Sequence, residues 1–159
     1  MSAGADRFAG AAAALGLRPD VHRFPEGTKT AQDAARAIGC DVAQIVKSLV
    51  FVVGDRPVLA LTSGANRVDT GKLATLAGAA TSRRATPDEV REATGFAIGG
   101  TPPFGHPSPL PTFVDRDLLG FDVVWAAAGT PNAVFPLRPQ DLLELSGGVG
   151  ADLADEEGA

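Results

Sequence analysis

The sequence predicts a mixed α/β domain in which helices flank a curved mixed β-sheet. Residues 45–53 (IVKSLVFVV) form a β-branched apolar run that ends at Gly54, and such a run is typical of a buried strand that enters a hairpin. Two helix starts, at Thr30 and Thr86, each have an acidic residue three positions later, which is a capping pattern. Because hairpins and helical crossovers follow one another along the chain, we expect a single curved sheet with mixed strand directions.

The elements before this strand are predicted from capping and turn residues. Thr30 resembles an N-cap, and Gly39 is the type of residue that ends a helix in the left-handed conformation. In chain order, the sequence predicts a helix over residues 5–15 ending near Gly16, a strand over 21–24 that includes His22, a turn at 25–27, a helix over 31–38 and a helical turn at 41–44.

The elements after this strand follow from the same signals. The loop after residue 53 is short, so residues 57–63 should return as an antiparallel partner strand. Asp69 precedes a helical pattern and is predicted to be its cap, and Pro87 suits the first position of a helix. The remaining predictions are a helix from about residue 70, strands at 81–84, 112–114, 122–128 and 133–137, a helix from 87 to Gly95, a helical turn at 115–119, a turn at 128–132 and a helix over 139–145.

Length and composition indicate one globular domain. The chain has 159 residues, of which 45% are hydrophobic and 21% charged, enough to bury a core. We expect residues 1–20 to be an N-terminal helix and lead-in that joins the main body, 21–148, in one unit. The last segment, 149–159, holds four of the acidic residues and is predicted to be a disordered tail. Without those four, 15 acidic and 14 basic residues remain, so any nucleic acid should be held locally and weakly.

Lys47 is a single cation inside the apolar run at residues 45–53. Alternation along a strand places its side chain on the same face as Leu49, Phe51 and Val53. An ammonium group on an apolar face must either reach water at the end of the strand or meet an anionic group. Both alternatives are open at this point.

Residues 96–111 form a long loop with five prolines and three glycines. A loop of this length in a compact domain is uncommon unless it is functional, and glycine lets a backbone approach a ligand closely. His106 lies in this loop and could contact a substrate, although a loop histidine is more often only solvated.

Several common site types are absent from the sequence. It contains no G-x-S-x-G, Walker A, H-E-x-x-H or C-x-x-C motif. Cys40 is the one cysteine and is expected to be a small buried residue, and two histidines offer no ligand spacing for a metal. We therefore expect no metal and no cofactor. No apolar run approaches the roughly 20 residues of a membrane span, so we expect a cytoplasmic protein without a membrane partner.

Three motifs together resemble the YbaK/ProX family of aminoacyl-tRNA editing domains. They are IVKSLVF at residues 45–51, GGTPPFGH at 99–106 and AAGTPNAVF at 127–135, the last followed by PQDLL at 139–143. The resemblance runs from about residue 22 to the closing helix. It implies a free-standing deacylase, related to the insertion domain of bacterial prolyl-tRNA synthetase, that hydrolyses wrongly charged tRNA, often the tRNA for proline. The expected partners are the acceptor end of mischarged tRNA and prolyl-tRNA synthetase.

By position, the resemblance makes Lys47 the catalytic residue and residues 99–103 the loop whose backbone contacts the aminoacyl group. Hydrolysis of the ester builds negative charge on its carbonyl oxygen, and a fixed ammonium or glycine N–H can stabilise that charge by about 3 kcal/mol per donor. Lys47 could instead hold the terminal phosphate or ribose. The candidate substrate-binding residues are Gly99, Gly100, Thr101, Pro102, Pro103, His106, Thr30, Ser48, Gly129 and Asn132.

Some of these candidates have an equally simple structural explanation. Capping alone accounts for Thr30, and a tight turn accounts for Gly129 and Asn132. Scattered surface cations are usually just solvated, and this applies to the four that could reach an acceptor stem, Arg67, Lys72, Arg83 and Arg84.

The predicted function is removal of a small noncognate amino acid from tRNA by attack of water on the ester. A synthetase pocket rejects a smaller amino acid by only about 1–3 kcal/mol per missing methylene, so a second, smaller sieve is needed. The alternative is a noncatalytic module that binds aminoacyl-tRNA or a synthetase. Incubation with a panel of mischarged tRNAs separates the two. Which amino acid is removed does not follow from the sequence.

Overall fold

The strand predicted around Lys47 forms the centre of the fold. A computed structural model describes residues 3–24 and 30–155, so the turn predicted at 25–27 lies outside the described residues. The helices are α1 (Ala3–Ala14), α2 (Ala31–Ile38), α3 (Thr70–Leu76), α4 (Pro87–Thr94) and α5 (Pro139–Ser146), with 3₁₀ turns at Val42–Gln44 and Arg116–Gly120. The strands are β1 (His22–Arg23), β2 (Val46–Val53), β3 (Arg56–Ser63), β4 (Ser82–Arg84), β5 (Thr112–Asp115), β6 (Val124–Ala127), β7 (Ala133–Leu137) and β8 (Val149–Ala151).

The helix caps predicted from the sequence are confirmed. The Thr30 hydroxyl accepts the Asp33 N–H at 3.0 Å, and the Asp69 carboxylate accepts the Lys72 N–H at 3.0 Å. Thr86 forms a capping box with Glu89. These side chains satisfy amide groups that have no partner in the first helical turn. Local sequence therefore determines where these helices begin.

The mixed α/β class is confirmed, but the strands divide into two sheets instead of one. The larger sheet has the order β4-β2-β3-β5-β8 and the smaller one the order β1-β7-β6. β2 and β3 form the predicted antiparallel hairpin, whereas β3–β5 and β5–β8 are parallel. In the described residues, an isolated parallel bridge between Ile45 and Trp125 links the two sheets. β4 is only three residues long and pairs with β2 at residues 51–53, so the first half of β2 has an open edge.

The main hydrophobic core lies between the two sheets and includes α1. Phe8 of α1 is 1% exposed and packs against Phe104 and Phe135, with ring centroids 5.6 and 5.0 Å away. The loop after α4 supplies Phe104, which is itself buried. The core therefore anchors the middle of the long loop that the sequence indicated as functional.

The C-terminal segment differs from the disordered tail that its acidic composition predicted. β8 pairs with β5, and Leu153 is fully buried in a second core cluster. The carboxylate of Asp152 lies 3.0 Å from Lys72 Nζ and 3.6 Å from Arg116 Nη2, and the hydrogen bond from Lys72 lowers its pKa. Composition alone failed here because one buried leucine and a locally paired carboxylate outweigh the average charge. Residues 156–159 lie outside the described part of the chain.

Among the described residues, none of the helices combines the length and apolar character that a bilayer crossing requires.

Candidate active site

A cavity of about 520 Å³ opens between the two sheets, along the open edge of β2. Its walls come from the first half of β2, residues 64–67 after β3, the start of α2, residues 125–127 of β6 and the loop after α4. The polar part of the lining contains Lys47, Asn66, Arg67 and Arg84, and the apolar part contains Ile98 and Trp125. The cavity therefore combines a cationic wall with an apolar one.

Among the described residues, Lys47 forms no ion pair with a carboxylate. Its half-buried side chain donates from Nζ to the backbone carbonyl of Asn66, at 2.6 Å. The predicted strand face is otherwise apolar, since Phe51 and Val53 belong to the second core cluster and Leu49 packs against it. The ammonium is thus positioned by a neutral dipole, which leaves most of its charge uncompensated.

Asn66 is itself held by two carboxylates. Its side-chain amide donates to Asp115 Oδ2 at 2.9 Å and to Asp117 Oδ2 at 2.7 Å. Asp115 is 1% exposed, and the same oxygen accepts the backbone N–H of Ser63 at 3.1 Å. These contacts fix the Asn66 carbonyl, and through it Lys47. The sequence did not indicate them because Asp115 lies 49 residues after Asn66.

The environment of Lys47 lowers the pKa of its ammonium. Burial is the main cause, the positive charges of Arg84 and Arg67 add to it, and Asp115 opposes it. No Asp or Glu occurs among the described residues that line the cavity. An anionic group that enters the cavity is therefore attracted by three cations, and it offsets the repulsion among their positive charges.

Of the predicted loop residues 99–103, Gly99 and Thr101 line the cavity. Gly99 has φ +85°, a left-handed conformation that favours glycine. The Gly100 N–H is already used, since it donates to the Ala97 carbonyl at 3.0 Å. Within the described part of the chain, the N–H groups of Gly99 and Thr101 have no protein acceptor. The backbone donors that residues 99–101 leave for a ligand are therefore these two.

Gly100 has a packing role beside the cavity. A Cβ at this position would lie 2.8 Å from Thr130 Cα, which is closer than real side chains approach. The missing side chain lets the loop pack against the 128–132 turn, and this turn brings Pro131 into the cavity wall.

Three further predicted substrate contacts, Pro102, Pro103 and His106, lie outside the cavity lining. His106 Nε2 lies 2.8 Å from the Pro102 carbonyl and the ring packs edge-on against Phe96; burial lowers the pKa of this histidine. Pro102 and Pro103 are buried. The structure therefore places His106 as a brace of the loop.

The turn residues Gly129 and Asn132 also lie outside the lining. A Cβ on Gly129 would lie 2.3 Å from the Gly4 carbonyl oxygen, so this glycine allows α1 to approach the turn. Asn132 Oδ1 accepts from the Thr130 hydroxyl at 3.0 Å, and its carbonyl accepts the Phe24 N–H. Both residues shape the turn that places Pro131 in the cavity wall.

Thr30 and Ser48 do line the cavity. The Thr30 hydroxyl is engaged as the cap of α2. Ser48 Oγ is buried and has no hydrogen-bond partner in the described residues. The carbonyl of Val50 accepts from Ala85 at the β4 edge, so alternation places the peptide groups of Ser48 on the same edge, where β4 no longer covers it. Ser48 thus offers the cavity a hydroxyl that the described residues leave unused.

Of the scattered surface cations, Arg67 and Arg84 line the cavity, whereas two others are held elsewhere. Arg83 makes two hydrogen bonds to Glu89, which lower the pKa of that carboxyl to about 2, and Lys72 contacts Asp152. Trp125 and Asn66 are further lining residues that the sequence analysis missed. Their signal was weak because each lies in a different element, and only the two-sheet arrangement brings them together.

The described residues contain no group of three or more His, Cys, Asp or Glu side chains arranged to hold a metal ion. The available chemistry is that of a fixed ammonium, free amide donors and two guanidinium groups.

Comparison with known proteins identifies the relatives of this arrangement. The family profile described as aminoacyl-tRNA editing domain matches residues 25–145. A crystal structure of a candidate trans-editing enzyme for prolyl tRNA synthetase is 51% identical, with a TM-score of 0.92 over 98% of this chain and 99% of that one. YwhH of Bacillus subtilis, an uncharacterized protein, is 35% identical over 80% of this chain and 81% of its own length. The candidate Cys-tRNA(Pro)/Cys-tRNA(Cys) deacylase EbsC of Enterococcus faecalis is 27% identical over 84% and 82%. With its three motifs assembled around one cavity, the chain belongs to the aminoacyl-tRNA editing domain family.

Proposed function

We propose that this protein is a trans-editing aminoacyl-tRNA deacylase, which hydrolyses the ester of tRNA that carries a wrong, small amino acid. The observation that carries the proposal is the Lys47 ammonium, held by one carbonyl at 2.6 Å in a cavity that also presents unused amides. The names of relatives that refer to trans-editing and to tRNA deacylation support it.

The reaction needs stabilisation of charge more than a protein nucleophile. Water attacks the ester carbonyl carbon and gives up one proton, and negative charge moves to the carbonyl oxygen. The bond to the ribose oxygen then breaks as that oxygen takes up the proton that the water released. Lys47 and the N–H groups of Gly99 and Thr101 are donors suited to the developing oxyanion, each worth about 3 kcal/mol when preorganised. Of these donors, Lys47 should stabilise the oxyanion most, because its positive charge is only weakly compensated before the substrate binds.

The cavity also suits selection by size. The side chains of Ile98, Trp125 and Val134 provide apolar surface for the amino acid or the nucleoside. Since a missing methylene changes discrimination by only about 1–3 kcal/mol, the walls must exclude larger cognate residues sterically. Small amino acids such as alanine, serine, threonine and cysteine are the proposed group of substrates, and the name of the E. faecalis relative supports cysteine among them.

The proposed partners are tRNA for proline and prolyl-tRNA synthetase. The name of the 51% identical structure supports this pairing. The net charge of −5 disfavours strong binding of bulk RNA, so delivery of the mischarged end by the synthetase would compensate for weak intrinsic affinity.

The test is release of amino acid from a panel of tRNAs for proline charged with proline, alanine, cysteine, serine or threonine. We expect release of at least one small amino acid and retention of proline. Lys47→Ala should remove this activity, while Lys72→Ala, a lysine outside the cavity, serves as the matched control; circular dichroism checks both folds. If no charged tRNA in the panel loses its amino acid, the protein is a binding module and the deacylase proposal fails.

A further inference from the structure

Three cations, Lys47, Arg67 and Arg84, line the cavity, and both arginines are close enough to Lys47 for their charges to lower its pKa. Arg84 pairs with Phe51 across β2 and β4, and its guanidinium lies 5.7 Å from the centre of the Phe51 ring. Paired residues point to the same face of a sheet, and this is also the face of Lys47. Arg67 directly follows Asn66, whose carbonyl holds the Lys47 ammonium. All three side chains line the same cavity.

The fold does not neutralise these charges locally. Within residues 3–24 and 30–155, neither Arg67 nor Arg84 takes part in an ion pair, whereas Arg83 and Arg138 each bind a carboxylate. The cavity lining in that part of the chain is also free of acidic residues. Like charges gathered without a counter-charge are unfavourable, so the arrangement is suited to an anion that the protein itself does not supply.

We propose that Arg67 and Arg84 bind the phosphodiester group that precedes the terminal nucleoside of the substrate, and so place the aminoacyl ester beside Lys47. Guanidinium groups match phosphate oxygens in a two-pronged geometry that ammonium groups lack. The sequence left two roles open for Lys47, action on the ester carbonyl or binding of the terminal phosphate. In this assignment the arginines hold the phosphate and the lysine acts on the ester. The assignment rests on the proposed deacylase function and names the part of the substrate that the enzyme reads.

The kinetic test compares two minimal substrates that differ in one phosphate. These are alanyl-adenosine esterified at the ribose and the same ester of adenosine 5′-monophosphate. We expect the wild-type protein to prefer the phosphate-bearing ester by about tenfold or more in kcat/KM. In Arg67→Gln/Arg84→Gln this preference should fall close to one. Arg83→Gln, which alters the neighbouring but ion-paired arginine, should retain the preference. A preference that survives in the double variant overturns the assignment.

A binding measurement keeps the inference separate from catalysis. Trp125 is the only tryptophan and the chain has no tyrosine, so intrinsic fluorescence reports directly on a cavity wall. Titration with adenosine 5′-monophosphate should change this signal at about tenfold lower concentration than adenosine does, and the double variant should lose the difference. Equal binding of both ligands to the wild type overturns the phosphate site, even if mischarged tRNA is hydrolysed. Arginine-dependent binding of the phosphate, with no hydrolysis of any charged tRNA, supports the site while the deacylase proposal fails.

Discussion

The two halves of β2 differ in what covers their second edge. Residues 51–53 pair with β3 on one side and β4 on the other, and Phe51 and Val53 are buried in an apolar cluster. Residues 46–49 pair with β3 alone within the larger sheet and line the cavity, with Lys47 and Ser48 among them. One strand thus serves as core at one end and as a site at the other, and the change occurs where β4 begins.

This difference shows how the fold tolerates polar groups without partners. A buried hydroxyl or ammonium that lacks a counterpart costs free energy, and a fully paired strand would have no room for a ligand to supply one. At the open edge, a substrate can complete the hydrogen bonds of Ser48 and the charge balance of Lys47. Three substitutions in β2 test this difference between its open half and its covered half.

Replacement of Lys47 by methionine should have the largest effect. Loss of one preorganised donor should lower single-turnover deacylation by about 100- to 1000-fold, while the free energy of unfolding at neutral pH stays equal or rises. The pKa of Lys47 is lower in the folded protein than its ordinary value of 10.5, so folding disfavours the charged form. The wild type should therefore gain stability relative to the variant as pH rises from the folded pKa toward 10.5. Urea unfolding of both proteins at neutral and alkaline pH measures this.

A clear loss of stability in the methionine variant at neutral pH would contradict this account. It would mean that the hydrogen bond to Asn66 outweighs the cost of burying the ammonium, and that Lys47 is part of the core instead of the site.

Val53→Ala, at the end of β2 that β4 covers, should lower stability and leave activity unchanged. Removal of two buried carbon atoms from a residue that is 5% exposed should lower the free energy of unfolding by about 2 kcal/mol. Deacylation per folded molecule should remain near the wild-type rate, because residue 53 lies outside the cavity lining. Urea denaturation together with activity at low temperature checks both parts. A large loss of activity at full folding would show that the two halves of β2 are coupled.

Ser48→Ala should have the smallest effect on stability. The informative result is whether the free energy of unfolding rises or falls. Removal of a hydroxyl without a partner should raise the free energy of unfolding by up to about 1 kcal/mol, while deacylation falls by up to about tenfold if the substrate uses this group. Thr62→Val is the matched control, since Thr62 also has a buried hydroxyl without a described partner but lies outside the cavity lining. It should gain similar stability with unchanged activity. If Ser48→Ala leaves kcat/KM unchanged, Ser48 is not a substrate contact.

Much of the fold follows from local sequence. The caps at Thr30, Asp69 and Thr86 act within three residues of themselves, and the short loop at Gly54 requires the β2–β3 hairpin. Lys47 was identifiable as a lone cation in an apolar run, and the resemblance indicated residues 99–103. These features depend on neighbouring positions, and the sequence determines them without knowledge of the rest of the chain.

Only the tertiary structure decided which residues meet. Asn66 and Asp115 interact across 49 positions, and the lining of the cavity comes from two sheets. Leu153 is buried in the second core cluster and so holds in place a segment that composition predicted to be disordered. Local pattern also could not separate Gly99 and Thr101, which line the cavity, from His106, which braces the loop. These outcomes depend on contacts between distant segments, and such contacts form only when strand pairing and core packing have selected one arrangement of the whole chain.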